Sequence, residues 1–298
     1  MVFATIEGFV SSFDGPAFTS LFARLTPRED FQQSLAIQSM GFHISRMLGP
    51  TVAGLIIAFK SPAYVFLFDA ISYLGVIYMI TRVQLRAKES RGPAIQSRGL
   101  RGTLEGLKFF FQEPKMRYLQ LQLLAALVIV VPLSNVVFRS YLKEKFHLPA
   151  SQFGYLFSFP GLGAMIGAVY FTLAALKRPS KNLIVGIPAL VISLLFVRAV
   201  PSPMVAAIVL GLTGFFVYLS VASLTQSMHL ATPDDYRGRL GALITLGFNS
   251  VSPLMSFPVG VYTDKFGFEN SILHLTLVFG AFSILLAYSN ILENKRLL

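Results

Sequence analysis

Nine stretches of this chain are apolar over about 18 to 25 residues, the length at which a helix rising 1.5 Å per residue crosses a hydrocarbon core of about 30 Å. They lie at about 2–22, 34–58, 62–81, 118–138, 153–176, 183–200, 204–228, 240–262 and 270–291. Inside a bilayer every backbone N–H and C=O must find a partner within the protein, and a run of this length does so as a helix. The expected class is therefore an all-α integral membrane protein with about nine transmembrane helices. Composition agrees: 54% of the 298 residues are hydrophobic, 13% are charged and mean hydropathy is +0.65. A soluble domain of this size still needs a polar exterior. The numbers exclude a soluble enzyme and a disordered chain. With no cysteines, they also exclude a disulfide scaffold, a thiolate nucleophile and a cysteine metal site.

The formal net charge of +11 would point to nucleic acid in a soluble chain. Here the basic residues crowd beside the spans, so no nucleic-acid partner is expected. One set of alternating loops holds 18 of the 25 Lys and Arg residues, including nine between Arg82 and Arg117. The other set holds six, and Arg46 lies within a span. The richer set is expected in the cytoplasm, with the C-terminus inside and the N-terminus outside. The N-terminus, Met1-Val2-Phe3, shows no basic flank of the kind a cleavable signal carries. Without tryptophan, Tyr64, Tyr118 and Tyr141 near segment ends are expected to supply the interfacial belt.

Three regions follow. Residues 1–81 read as a partial N-terminal bundle of three helices, and 118–298 as a six-helix C-terminal bundle. Between them, 82–117 is a cytoplasmic stretch in which a basic, glycine- and proline-bearing linker precedes a short amphipathic helix marked by Leu104, Leu107 and Phe111.

The chain also repeats itself. A shift of 206 residues lays Gly8-Phe9 on Gly214-Phe215, Thr26-Pro27 on Thr232-Pro233, Ala36 on Ala242, Gly41-Phe42 on Gly247-Phe248, and Gly54 on Gly260. The matching blocks both enter from outside and stand six spans apart, so the repeat is parallel. Parallel six-span halves describe the major facilitator fold. The stretches PREDFQQSLAIQSMGFHISRMLGPTVAGLI and TPDDYRGRLGAL resemble the enterobactin-exporter-like, transmembrane secretion effector branch of that superfamily. The resemblance covers essentially the whole chain. It implies export of a small molecule, drug or siderophore-like, by alternating access, usually coupled to protons. In family order the segments resemble spans four to twelve, so the first three spans are expected to be missing. The family's Gly/Asp/Arg signature between spans two and three has no copy here.

Several residues are candidates for that work. In the second segment Ala36, Ser45, Gly49-Pro50, Ala53 and Gly54 match the family's antiporter signature in size, with Ala or Ser replacing glycine at three places. Small residues there allow close helix approach, and Pro50 bends the helix. Four charges lie inside spans: Glu7, Asp14, Arg46 and Asp69. Each costs about 2.5–3.5 kcal/mol at the bilayer centre and needs a partner or water. Glu7 and Asp14, seven residues apart, share one face of a helix that lines the cavity by family analogy. Arg46 cannot discharge, and Asp69 is its nearest candidate partner, in a structural pair or a gate. In the loop after the seventh segment, Asp234 or Asp235 caps the next helix, while Arg237 and Arg239 are placed to bridge neighbouring helix ends.

By the same analogy the fourth and seventh segments line the cavity, with Gln120, Gln122, Ser134 and Asn135 on one and Tyr218, Ser220, Thr225 and Gln226 on the other. Each such group serves either a substrate path or an interhelical hydrogen bond. The four histidines, at 43, 147, 229 and 274, are scattered, so no metal site, catalytic residue or cofactor is expected. The leading expectation is a secondary-active exporter in a bacterial inner membrane, taking a small-molecule substrate and protons. The alternative is a non-transporting membrane scaffold that packs against a partner chain.

Overall fold

The structure is a computed structural model, and its description covers residues 25, 41, 45, 52–53, 56, 60, 62–82, 113–175, 179–232, 240–241, 243–244 and 247–296. The described helices belong to two units, one holding α1 (Pro62–Arg82) and the other every helix from Pro114 onward.

α1 starts on Pro62, whose missing N–H is no loss in a first turn, and ends on Arg82, a cation at the negative end of the helix dipole. Arg82 lies over the Tyr78 ring at 5.3 Å. Its apolar side chains are largely exposed, Phe66 at 75%, a surface suited to lipid rather than water.

The second unit begins with a helix that changes pitch. α2 (Pro114–Ala125) runs into two wide turns, Ala126–Val130 and Leu133–Val137, before α3 (Phe138–Phe146) completes the span. In the wide turns the N–H of Val131 donates to Ala126 O and that of Phe138 to Leu133 O, five residues back instead of four. Pro132 sits between them. It has no N–H to donate, and its ring displaces the carbonyl four residues earlier, so the ladder widens on either side.

α4 (Ala150–Tyr170), α5 (Pro179–Arg198) and α6 (Pro203–Ala231) follow. Ser202 caps α6 by accepting from the Val205 N–H at 3.4 Å. A wide turn at Gly247–Val251 leads into α7 (Ser252–Phe266), and α8 is Phe268–Arg296. One residue, Gly267, joins α7 to α8. Its φ of 79° is open to glycine at no steric cost, and its N–H closes α7 on Thr263 O at 2.8 Å.

Six helices among the described residues are long and apolar enough to cross a membrane: Ala63–Arg82, Pro114–Phe146, Ala150–Leu173, Lys181–Arg198, Pro203–Ala231 and Phe268–Ser289. They coincide with six of the nine expected segments. The eighth segment takes in the wide turn at Gly247–Val251 and most of α7, while the first segment, and all of the second but residues 41, 45, 52, 53 and 56, lie outside the described residues.

In the second unit α6 is central, packed on α4, α5 and α2, while α8 covers α2 and α5. Phe138, Leu190, Leu194, Leu224, Met228 and Phe279 are fully buried in the resulting core. Lipid offers apolar side chains the same medium as the core, so close packing rather than the hydrophobic effect holds such helices together. Glycines provide it between α4 and α6. A Cβ on Gly163 would collide with the carbonyl of Gly211, and one on Gly214 would collide with the carbonyl of Pro160.

Candidate functional site

Asp69, Gln122, Asn135, Tyr218 and Gln226 fall within the described residues, as do Gln120, Ser134, Ser220 and Thr225 of the two segments expected to line the cavity. Glu7, Asp14, Arg46, Gly49, Pro50, Gly54, Asp235, Arg237 and Arg239 lie outside them. Asp69 is exposed on α1, and its backbone carbonyl accepts from the Ser72 hydroxyl at 2.7 Å.

All of those described except Asp69 stand in the second unit, on α2–α3 and α6, two elements that pack against each other. Gln122 is fully buried, and its Nε2 donates to Ser283 Oγ of α8 at 2.8 Å. The Ser283 hydroxyl in turn donates to Phe279 O at 2.8 Å, so a chain of hydrogen bonds runs from α2 into the backbone of α8. Asn135 lies in the second wide turn and is exposed. Tyr218 is half-buried at the α4–α6 seam, where a Cβ on Gly167 would come 3.4 Å from its Cβ. Gln226 is half-buried two turns further along α6.

More polar atoms are buried around these. Gln120 Nε2, Gln122 Oε1, Ser134 Oγ, Ser220 Oγ, Ser223 Oγ and Ser227 Oγ have no hydrogen-bond partner among the described residues. These six stand on α2, on the second wide turn or on α6, and Ser271 Oγ and Thr276 Oγ1 of α8 are in the same position. In a low-dielectric interior each such atom carries a desolvation penalty, and polarity of that kind inside a membrane bundle is found where a path or a partner requires it.

One end of the unit is tied by a polar knot that the residue pattern did not announce. Lys145 Nζ donates to Tyr141 Oη at 2.8 Å and reaches Arg198 O at 3.3 Å. The Tyr141 hydroxyl donates to Arg198 O at 2.8 Å, with Glu269 Oε1 at 3.3 Å as a second acceptor. Arg198 Nε lies 3.7 Å from Glu269 Oε2, both side chains being partly exposed. Three helix ends, of α3, α5 and α8, therefore meet at one tyrosine hydroxyl. Reading Tyr141 as an interfacial belt residue captured its place near a segment end and missed these partners, which lie 57 and 128 residues away. The glycine seam left a signal in the sequence that was passed over. Gly163 and Gly167 stand four apart in GLGAMIG, the small-residue spacing that marks close helix contact.

Comparison with known proteins fits this arrangement. The transmembrane secretion effector family model matches residues 1–296. The multidrug efflux pump Tap of Mycolicibacterium fortuitum is 22% identical over 240 residues, covering 79% of this chain and 58% of the pump. The enterobactin exporter EntS of Escherichia coli O1:K1 / APEC is 24% identical over 242 residues, covering 80% of this chain and 56% of the exporter. The chain thus spans a little over half the length of these relatives. Among solved structures, a bacterial homologue of the iron transporter ferroportin in an inward-facing state matches with a TM-score of 0.62 at 16% identity, over 90% of this chain and 66% of that one. A bacterial metal transporter matches with a TM-score of 0.59 at 16% identity, over 88% and 67%. These structural likenesses speak to the fold alone, which is that of the major facilitator superfamily. From the family match and its helical, membrane-spanning architecture, the chain is a multi-pass membrane protein and belongs to the transmembrane secretion effector family of that superfamily.

Proposed function

We propose that this chain is a secondary-active exporter of a small organic molecule, working by alternating access and driven by protons. The carrying observation is the family match over residues 1–296, with relatives named as a multidrug efflux pump and an enterobactin exporter. A transport role also accounts for polar atoms buried on α2 and α6, which a purely lipid-filled bundle has no use for.

In this reading Glu7 and Asp14 take the proton or meet a cationic substrate. Gln122, Asn135, Tyr218 and Gln226 face or support the path. Arg46 pairs with Asp69 near the close-packing stretch of Gly49, Pro50 and Gly54, while Asp235, Arg237 and Arg239 close the inward side. The three regions 1–81, 82–117 and 118–298 act as a bundle, a cytoplasmic linker and a second bundle, with the C-terminus in the cytoplasm of a bacterial cell. The protein performs no covalent chemistry in this account.

The test is dye and siderophore accumulation in cells stripped of their own efflux pumps. Cells expressing the full chain are expected to hold several-fold less ethidium, or less of a catecholate siderophore, than cells with an empty vector. Equal accumulation, with the chain confirmed in the membrane, would refute export of those classes and favour a scaffold that needs a partner.

A further inference from the structure

Four wide turns lie among the described residues of the second unit; Phe171–Ala175 ends α4, and the other three lie together. Ala126–Val130 and Leu133–Val137 flank Pro132 in the α2–α3 helix, and Gly247–Val251 precedes α7. The first and the last pack directly on each other, and α7 packs on both wide turns of its neighbour. At the contact a Cβ on Gly247 would come 2.8 Å from Leu127 Cδ1, so the Leu127 side chain occupies the room glycine leaves. α7 adds Pro253 in its first turn and Pro258 within it. A wide turn is a place where the ladder has already slipped by one residue, and a helix bends there with little further loss.

We propose that these three turns form one joint hinge, so that α2–α3 and α7 bend together and not separately. The Leu127–Gly247 contact is the link: if the 126–130 turn tightens, Leu127 shifts against the 247–251 turn and carries it along. Packed interiors transmit such displacements because they have no slack to absorb them. Ser134, whose buried hydroxyl has no partner among the described residues, sits in the second wide turn and is available to a carbonyl released as the ladder shifts. The proposal rests on this packing and is independent of what, if anything, the protein carries.

The test is deuterium exchange of the full chain in lipid nanodiscs, read on peptides covering 126–137, 247–251 and, as a reference, α4. Pro132→Ala restores the missing N–H and removes the ring that holds the ladder open. It is expected to slow exchange about threefold or more at both 126–137 and 247–251, with α4 unchanged. Gly247→Val, which presses a branched side chain on Leu127, approaches the same link from the other helix and is expected to change exchange at 126–137 as well as at its own turn. If either inserted variant alters exchange only in its own helix, the joint hinge is refuted.

Discussion

The carbonyl oxygen of Pro160 on α4 occupies the place where a Cβ of Gly214 on α6 would stand. Backbone meets backbone at that point, close enough for the weak Cα–H···O contacts that recur where helices cross tightly. Because the obstructing atoms are main chain, they cannot swing aside. Gly163 stands in the same relation to the carbonyl of Gly211. Gly214→Ala or Gly163→Ala is therefore expected to cost about 1–3 kcal/mol by overpacking. Gly260→Ala, where nothing lies within 4 Å of the added carbon, should leave stability unchanged. Thermal unfolding in detergent, followed by loss of the monodisperse species, separates the two. Equal melting temperatures across the three variants would contradict the packing described.

Gln122 and Ser283 form the hydrogen bond that couples α2 to α8, at 2.8 Å and fully buried on the glutamine side. Ser283 keeps its own bond to Phe279 O when Gln122 is removed. A double-mutant cycle of Gln122→Ala and Ser283→Ala is expected to return a coupling near 0.6 kcal/mol and below about 1.7, the range for interhelical bonds in membranes. A coupling indistinguishable from zero would mean that the two side chains stand together without holding each other.

Much of this was legible in the residues. Segments such as 153–176 and 204–228 announce themselves by length and apolarity, because the bilayer imposes a fixed thickness. The partners were not legible. Gln122 and Ser283 are 161 residues apart, and Tyr141 and Glu269 are 128 apart, and a helix pattern says which side chains share a face without saying which helix that face will meet. The wide turns were hidden for a different reason. Pro132 marks a disturbance, but whether the ladder breaks, kinks or slips by a residue depends on what packs beside it.

Orientation is open to direct test because the chain has no cysteine to confuse the reading. Lys143 is exposed at the end of α3 and belongs to the basic-poor set of loops, while Arg117 at the other end of the same span belongs to the basic-rich set. A single cysteine at Lys143 should react with a membrane-impermeant maleimide in intact cells. One placed at Lys115 should react only after permeabilisation. The reverse pattern would invert the topology and with it the direction of transport.

Asp14 is the acid with the strongest claim to a proton, being well inside the first expected span and on the same face as Glu7. Asp14→Asn keeps shape and removes the titrating group. Gradient-driven efflux should fall to background in this variant while insertion and thermal stability hold, and Glu7→Gln should have a smaller effect. Full transport by the asparagine variant would remove Asp14 from the coupling mechanism.

In the proposed function this chain moves a small molecule at the expense of a proton gradient, and purified protein in sealed liposomes tests that with least interference. Liposomes loaded with a cationic dye or a catecholate siderophore, and carrying the full chain, should exchange cargo across the membrane when a pH step is imposed. Movement should stop when an ionophore collapses the step. Cargo movement that is the same with and without the gradient, or no faster than in protein-free liposomes, would contradict the account.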